Sequence, residues 1–346
     1  MAQRIPQLDG VRGVAILVVM VHNLGAFSAK PLSYLTTYGW MGVDLFFVLS
    51  GFLITGILLG TKDSEHYFRN FYVRRCLRIW PLYYAVLLSI FIVIPLVRHQ
   101  FAVEIFQRAS PRWSYFIFLQ NFLVASPLGA FGPLGVTWSL AVEELFYLVW
   151  PLFVRFLSFR QLEATALGVV IFSPLLRLLL SWHGVLIYSN PFCRLDGLML
   201  GALLALFEKK TVQQAIWTKY AWFVLVAAVL LTIGSERLST RWLTFSMVVI
   251  ASTAFVYLAL HSREMWLQYF LTTRFLTFTG VISYGLYLLH KFPDDFLKAI
   301  HFHLHPAVAF FPVVACAYLM AILSWNLLEK PFLTLKGRFE FASDRK

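Results

Sequence analysis

Ten apolar stretches dominate this chain, at about residues 11–28, 40–60, 79–97, 137–157, 162–182, 194–207, 219–234, 242–260, 275–292 and 307–328. Most are long enough to cross the hydrocarbon core of a bilayer, about 30 Å thick, as helices. Charged residues make up only 13% of the 346 positions, about half the 25% or so typical of soluble domains. Such scarcity over such a length means an integral membrane protein, not a globular one with a large core. The expected fold is therefore all-α: one polytopic transmembrane helical bundle of about ten helices. The apolar stretch 113–125 is short and reads as interfacial or re-entrant.

The formal net charge of +12 would suggest nucleic acid in a soluble protein. Here the Lys and Arg residues are scattered between apolar spans, as the positive-inside rule requires, so no nucleic-acid partner is expected. With the N-terminus inside, 19 of the 29 Lys and Arg fall on the inner side, which agrees with an even number of spans and with both termini cytoplasmic. The first apolar run continues without a small-residue cleavage site and reads as the first span. Cys76, Cys193 and Cys316 are far apart and show no metal or disulfide spacing. His301, His303 and His305 alternate, a pattern that can bind metal. No acidic or cysteine partner accompanies them, so no metal is expected. Phosphate loops, dinucleotide fingerprints, HExxH and GxSxG are all missing.

Four places concentrate charge within the apolar spans. Arg12 and His22 lie on the first, ten residues or about 15 Å apart, and about 80° apart around the axis. That rise places the imidazole near mid-bilayer, where an ionisable group is by default a functional hypothesis. Histidine is also the side chain best suited to proton transfer near neutral pH; the plain alternative is hydrogen bonding to a neighbouring helix. Asp44, near the start of the second span, has the chemistry to orient a catalytic histidine or to pair with an arginine that holds helices together. Ser50, Gly51 and Gly56 downstream permit close packing. Arg75 and Arg78 share a helix face, and paired guanidinium forks suit phosphate, although basic inner loops also touch anionic lipid. Ser139 and Glu143, i and i+4, open the fourth span beside Trp138, Glu144 and Tyr147. Glu143 there would position an acceptor hydroxyl or support His22, unless it only caps the helix and pairs with a cation.

Lesser polar signals follow. Arg194 and Asp196 begin the sixth span as an expected ion pair. Ser283, Tyr284, Tyr287 and His290 mark the ninth, and Glu329 closes the tenth, with an inner arginine as its expected partner.

Seven of these segments occur in an order that resembles the acyltransferase family 3 membrane proteins. They are Leu8 to His22, Gly42 to Thr55, Arg74 to Tyr84, Thr137 to Leu152, Arg194 to Ala205, Ser283 to His290 and Trp325 to Phe332. The likeness covers about residues 5–333. It implies ten helices, acyl-coenzyme A bound on the cytosolic side, and acyl transfer to an acceptor hydroxyl. The family's essential Arg, His and RxxR residues map to Arg12, His22, Arg75 and Arg78. The Arg12-to-His22 gap is one residue shorter than in the family's common form. The family often carries an extracytoplasmic hydrolase-like extension, and no such domain is expected here.

The resulting expectation is a bacterial inner-membrane, multi-pass O-acyltransferase. Residues 1–335 would form the acyltransferase domain and 336–346 a short basic cytoplasmic tail. Catalysis would rest on His22, Asp44 and Glu143. The donor, acyl-coenzyme A and most simply acetyl-coenzyme A, would be held by Arg12, Arg75 and Arg78. Ser139, Trp138, Tyr147, Arg194 and His290 would line or support the acceptor site. The other partners would be the bilayer and a saccharide or lipid-linked saccharide, with no bound cofactor. The competing readings are a transferase acting on a small-molecule or antibiotic acceptor, and a transporter or flippase of lipid-linked sugars whose buried charges line a path.

Overall fold

Pro6 opens the first helix, α1 (Pro6–Leu24), where the missing N–H would be unpaired in any case. Gly25 closes it with φ of 59°, a left-handed conformation that a residue without Cβ adopts freely. The computed structural model describes residues 5–25, 33–97, 111–123, 134–210, 214–237, 240–300 and 305–339. Those residues form helices and turns, with no strand among them. His301, His303 and residues 340–346 lie outside the described residues.

After α1 come a short helix α2 (Ser33–Tyr38), α3 (Met41–Gly60) and α4 (Tyr67–Leu88), which continues through a π-turn at Ser89–Val93. Among the described residues, the stretch expected to be interfacial holds α5 (Arg112–Phe116) and a 3-10 turn at Gln120–Phe122, both too short to cross a bilayer. It is laid against α4, where Tyr83 and Tyr84 donate to the carbonyls of Tyr115 and Phe116. Next are α6 (Thr137–Phe156), α7 (Phe159–Trp182), α8 (Leu195–Lys210), α9 (Gln214–Arg237) and α10 (Arg241–His261). The C-terminal part holds α11 (Met265–Thr272), α12 (Arg274–Val281), α13 (Ser283–Leu289), α14 (Lys291–Ala299) and α15 (Pro306–Ser324).

Among the described residues, eight helices are long and apolar enough to span a membrane, against the ten expected. The two remaining stretches show why the count differs. Helix α8 has only 16 residues but is enclosed by α3, α7 and α10. The expected ninth span is broken into α12, α13 and α14. Breaks at such a depth are tolerated where the freed backbone is buried in protein rather than lipid, and Ser283, Leu286 and His290 are all buried.

Helices α3 and α8 cross at contact distance because a glycine on each faces the backbone of the other. A Cβ built on Gly51 would lie 1.9 Å from the Leu198 carbonyl oxygen, and one on Gly201 would lie 2.1 Å from that of Val48. Around this centre α1, α3, α4, α6, α8 and α13 enclose the polar residues. Helices α7 and α9 turn large apolar side chains such as Phe172, Leu175, Phe223 and Leu230 outward, as lipid-facing helices do. The chain ends through a π-turn (Trp325–Glu329), a short helix α16 (Lys330–Thr334) and a 3-10 turn (Leu335–Phe339) that packs on α4. The expected domain boundary at 335/336 falls inside that turn.

Candidate active site

The RxxR spacing puts Arg75 and Arg78 one turn apart on α4, and α1 brings Arg12 beside them. The three guanidinium groups line one cleft with about 820 Å³ of empty space. Its walls include Ser50 and Leu53 of α3, Ser139, Glu143 and Tyr147 of α6, and Ser283, Tyr284 and Tyr287 of α13. Arg12 donates to Asp9 at 3.3 Å. Arg75 lies over the rings of Phe71 and Tyr147 at 5.8 and 5.9 Å, and its Nε is buried without a hydrogen-bond partner. Glu143 accepts from Ser50 at 3.0 Å and from Tyr147 at 2.9 Å. Tyr287 donates to the Val136 carbonyl at 3.0 Å. The Tyr287 and Ser139 hydroxyls are themselves 2.6 Å apart.

His22 is not in this cleft. It sits in the last turn of α1, beyond the mid-depth that counting from Arg12 suggests, and lines a second cavity of about 700 Å³ with Thr37, Tyr38, Trp40, Tyr188, Thr244 and Phe245. Its Nδ1 lies 2.7 Å from the Thr36 carbonyl oxygen. A carbonyl only accepts, so Nδ1 carries the hydrogen and a neutral ring keeps its lone pair on Nε2. That is the tautomer a base or nucleophile needs. The adjacent Asn23 donates to His290 Nε2 at 3.0 Å. His290 in turn donates from Nδ1 to the carbonyls of Leu286 and Tyr287 at 3.1 and 2.9 Å. His290 is thus a fully buried support linking the His22 end to a residue of the arginine cleft.

Aromatic rings in unbroken contact join the two cavity linings. Phe47 meets Trp138 at 6.0 Å, Trp138 meets Tyr188 at 4.9 Å, and Trp40 meets Phe245 at 5.0 Å. The Arg194 guanidinium lies among these rings, 4.4 Å from Phe245 and 5.5 Å from both Trp138 and Tyr188.

The structure decides among the partners the sequence leaves open for Asp44 and Glu143, and changes the one expected for Asp196. Asp44 forms a buried ion pair with Arg194 at 2.8 Å rather than a contact with His22. Asp196 pairs with Arg177 at 2.7 Å rather than with Arg194. Glu143 sits at the arginine end, so it does not support His22. The cause is common to the two ion pairs: residues adjacent along the chain point different ways, and the crossing of α3, α7 and α8 selects the partner. Arg177, with further bonds to Ser246 and the Trp242 and Cys193 carbonyls, went unnoticed in the sequence although it interrupts an apolar run. Glu329 accepts from Ser324 at 3.2 Å and lies within electrostatic reach of Arg78, an arginine partner of the kind expected, although the two make no direct ion pair. Asn23 and Tyr188 were also missed; Asn23 shows only as a second polar residue beside His22, and Tyr188 lies in a connecting segment without periodicity.

A family model described as "Acyltransferase domain" matches residues 5–328. The chain belongs to this acyltransferase family. It is 30% identical over 368 residues to the "Putative peptidoglycan O-acetyltransferase YrhL" of Bacillus subtilis (strain 168), covering 95% of this chain and 55% of that protein. It is 27% identical over 371 residues to "O-acetyltransferase OatA" of Staphylococcus aureus (strain NCTC 8325 / PS 47), covering 98% and 58% respectively. The chain therefore spans little more than half the length of these relatives. No solved structure matches it.

Proposed function

We propose that the chain is a membrane O-acyltransferase that takes an acetyl group from acetyl-coenzyme A and passes it to a hydroxyl of a saccharide or lipid-linked saccharide. The observation that carries this reading is the division of labour along α1: a cation-lined cleft at the Arg12 end and a histidine with a free Nε2 at the other. Peptidoglycan acetylation in the name of one relative supports a saccharide acceptor. In this reading the arginine end faces the cytoplasm, in line with the basic bias of the inner segments, and the membrane is the bacterial inner membrane.

Arg12, Arg75 and Arg78 hold the donor's phosphates through charge-assisted hydrogen bonds. Ten residues of α1 separate them from His22, about 15 Å, comparable to the length of an extended pantetheine arm. His22 Nε2 takes the proton of the acceptor hydroxyl as its oxygen attacks the thioester carbonyl. The carbon–sulfur bond breaks, and the coenzyme A thiolate receives that proton. The ring-lined separation of the two cavities favours a two-step variant. In it, Nε2 first displaces the thiolate and carries the acyl group, and the hydroxyl then takes it from the imidazole. Asp44 and Arg194 act by holding Trp138, Tyr188 and Phe245 in place, and Glu143 with Ser139 and Tyr287 shapes the cleft between donor and His22.

The test uses the chain in lipid nanodiscs with acetyl-radiolabelled acetyl-coenzyme A, comparing wild type, His22→Ala and Arg75→Ala/Arg78→Ala. Binding that requires the arginines and turnover that requires His22 are expected. Label retained on wild-type protein without acceptor, and not on His22→Ala, would select the two-step variant. Full transfer by well-inserted His22→Ala would overturn the mechanism. Folded wild-type protein that neither binds nor turns over the donor would favour a transporter.

A further inference from the structure

The cation cluster does not end with α1 and α4. The 3-10 turn Leu335–Phe339 folds back onto α4, and the Arg69 guanidinium lies 5.7 Å from the Phe339 ring centroid. This return places half-buried Lys336 within electrostatic reach of Arg12, Arg74, Arg75 and Arg78. Among the described residues, no hydrogen bond or ion pair engages Lys336, Arg75 or Arg78. Four carboxylates among the described residues lie near these cations without an ion pair to Lys336, Arg75 or Arg78. Asp9 pairs with Arg12, Glu143 accepts from Ser50 and Tyr147, and Glu329 accepts from Ser324 and faces Arg78 electrostatically. Glu144, near Arg75, keeps a buried oxygen without a hydrogen-bond partner. Like charges gathered in a half-buried site repel, and a ligand carrying several negative charges removes that repulsion.

We propose that Lys336 is a fourth cation of the donor site, supplied by the C-terminal turn, and that it contacts the ribose 3′-phosphate of coenzyme A. This rests on the acyl-coenzyme A reading and deepens it. Coenzyme A carries a diphosphate and, apart from it, a phosphate monoester. Two guanidinium forks one helical turn apart match the contiguous diphosphate. A compact ammonium arriving on a different element matches the separate monoester, because its three donors form a point charge rather than a planar fork. The phosphate of an anionic lipid headgroup has the same chemistry, so the test must distinguish the two sources.

The experiment measures binding of coenzyme A and of 3′-dephospho-coenzyme A by calorimetry, with the full chain in neutral phosphatidylcholine nanodiscs. The variants are wild type, Lys336→Gln, Lys336→Arg and Arg75→Gln/Arg78→Gln. Wild type is expected to prefer coenzyme A by about tenfold, the worth of one charge-assisted contact. Lys336→Gln is expected to lose that preference while binding the dephospho ligand as wild type does, and Lys336→Arg to restore it. Arginine-dependent binding in which Lys336→Gln keeps the preference, or weakens both ligands equally, would overturn the assignment alone. Wild type that binds neither nucleotide would overturn the donor reading with it. Phosphatidylglycerol nanodiscs supply the last arm. No coenzyme A preference in phosphatidylcholine, together with enrichment of phosphatidylglycerol around wild type but not Lys336→Gln, would identify a lipid headgroup as the occupant and overturn the nucleotide contact.

Discussion

The Asp44–Arg194 pair separates chemistry from scaffolding, because the sequence leaves Asp44 with two roles, orienting His22 or pairing with an arginine, and the structure shows the second contact. Both side chains are 1% exposed and meet at 2.8 Å. At an effective dielectric near 20, that separation corresponds to an attraction of about 6 kcal/mol. Deleting one partner strands the other, so Asp44→Asn is expected to destabilise by about 3–5 kcal/mol. Arg194→Gln should cost about 1 kcal/mol more, because the guanidinium also lies over the Phe245 ring. The pair is also incompletely satisfied: Asp44 Oδ2 and Arg194 Nε and Nη1 are buried without hydrogen-bond partners among the described residues. An apolar double replacement, Asp44→Leu/Arg194→Met, should therefore recover most of the loss. Unfolding titrations in mixed micelles, followed by helicity, measure these differences, and transfer is measured on the same samples below the transition. Asp44→Asn that kept wild-type stability yet lost transfer would refute the structural reading and return Asp44 to His22.

Two further outcomes follow from the same packing. Trp138→Ala removes the ring bridging Phe47 and Tyr188 and should join the two cavities. Acetyl-coenzyme A hydrolysis without acceptor should then rise severalfold relative to transfer, whereas an unchanged ratio would mean the rings are not a barrier. Gly51→Ala drives a Cβ into the Leu198 carbonyl, while Gly56 has no atom within 4 Å. The first substitution should destabilise by about 1–3 kcal/mol or more and the second by little, as read from thermal unfolding midpoints.

Part of this protein was determined by sequence alone. Long apolar stretches with few charges require a bundle in lipid, whatever the helix order. The i, i+3 spacing aligns Arg75 with Arg78 on any helix, and a histidine in an apolar run stands out anywhere. These are local or compositional facts, and chain geometry carries them unchanged into the fold. Partner choice is different. Whether Asp44 meets His22 or Arg194, and whether Asp196 meets Arg194 or Arg177, depends on which helices cross and at what rotation. The close α3–α8 approach permitted by Gly51 and Gly201 decides the Asp44 pairing, and periodicity does not encode it. The two-cavity layout, the Thr36 carbonyl that fixes the His22 tautomer and the return of the Leu335–Phe339 turn to α4 join residues apart in the chain. Only tertiary packing brings such groups together, because each contact is set by the relative placement of elements that are each locally unremarkable.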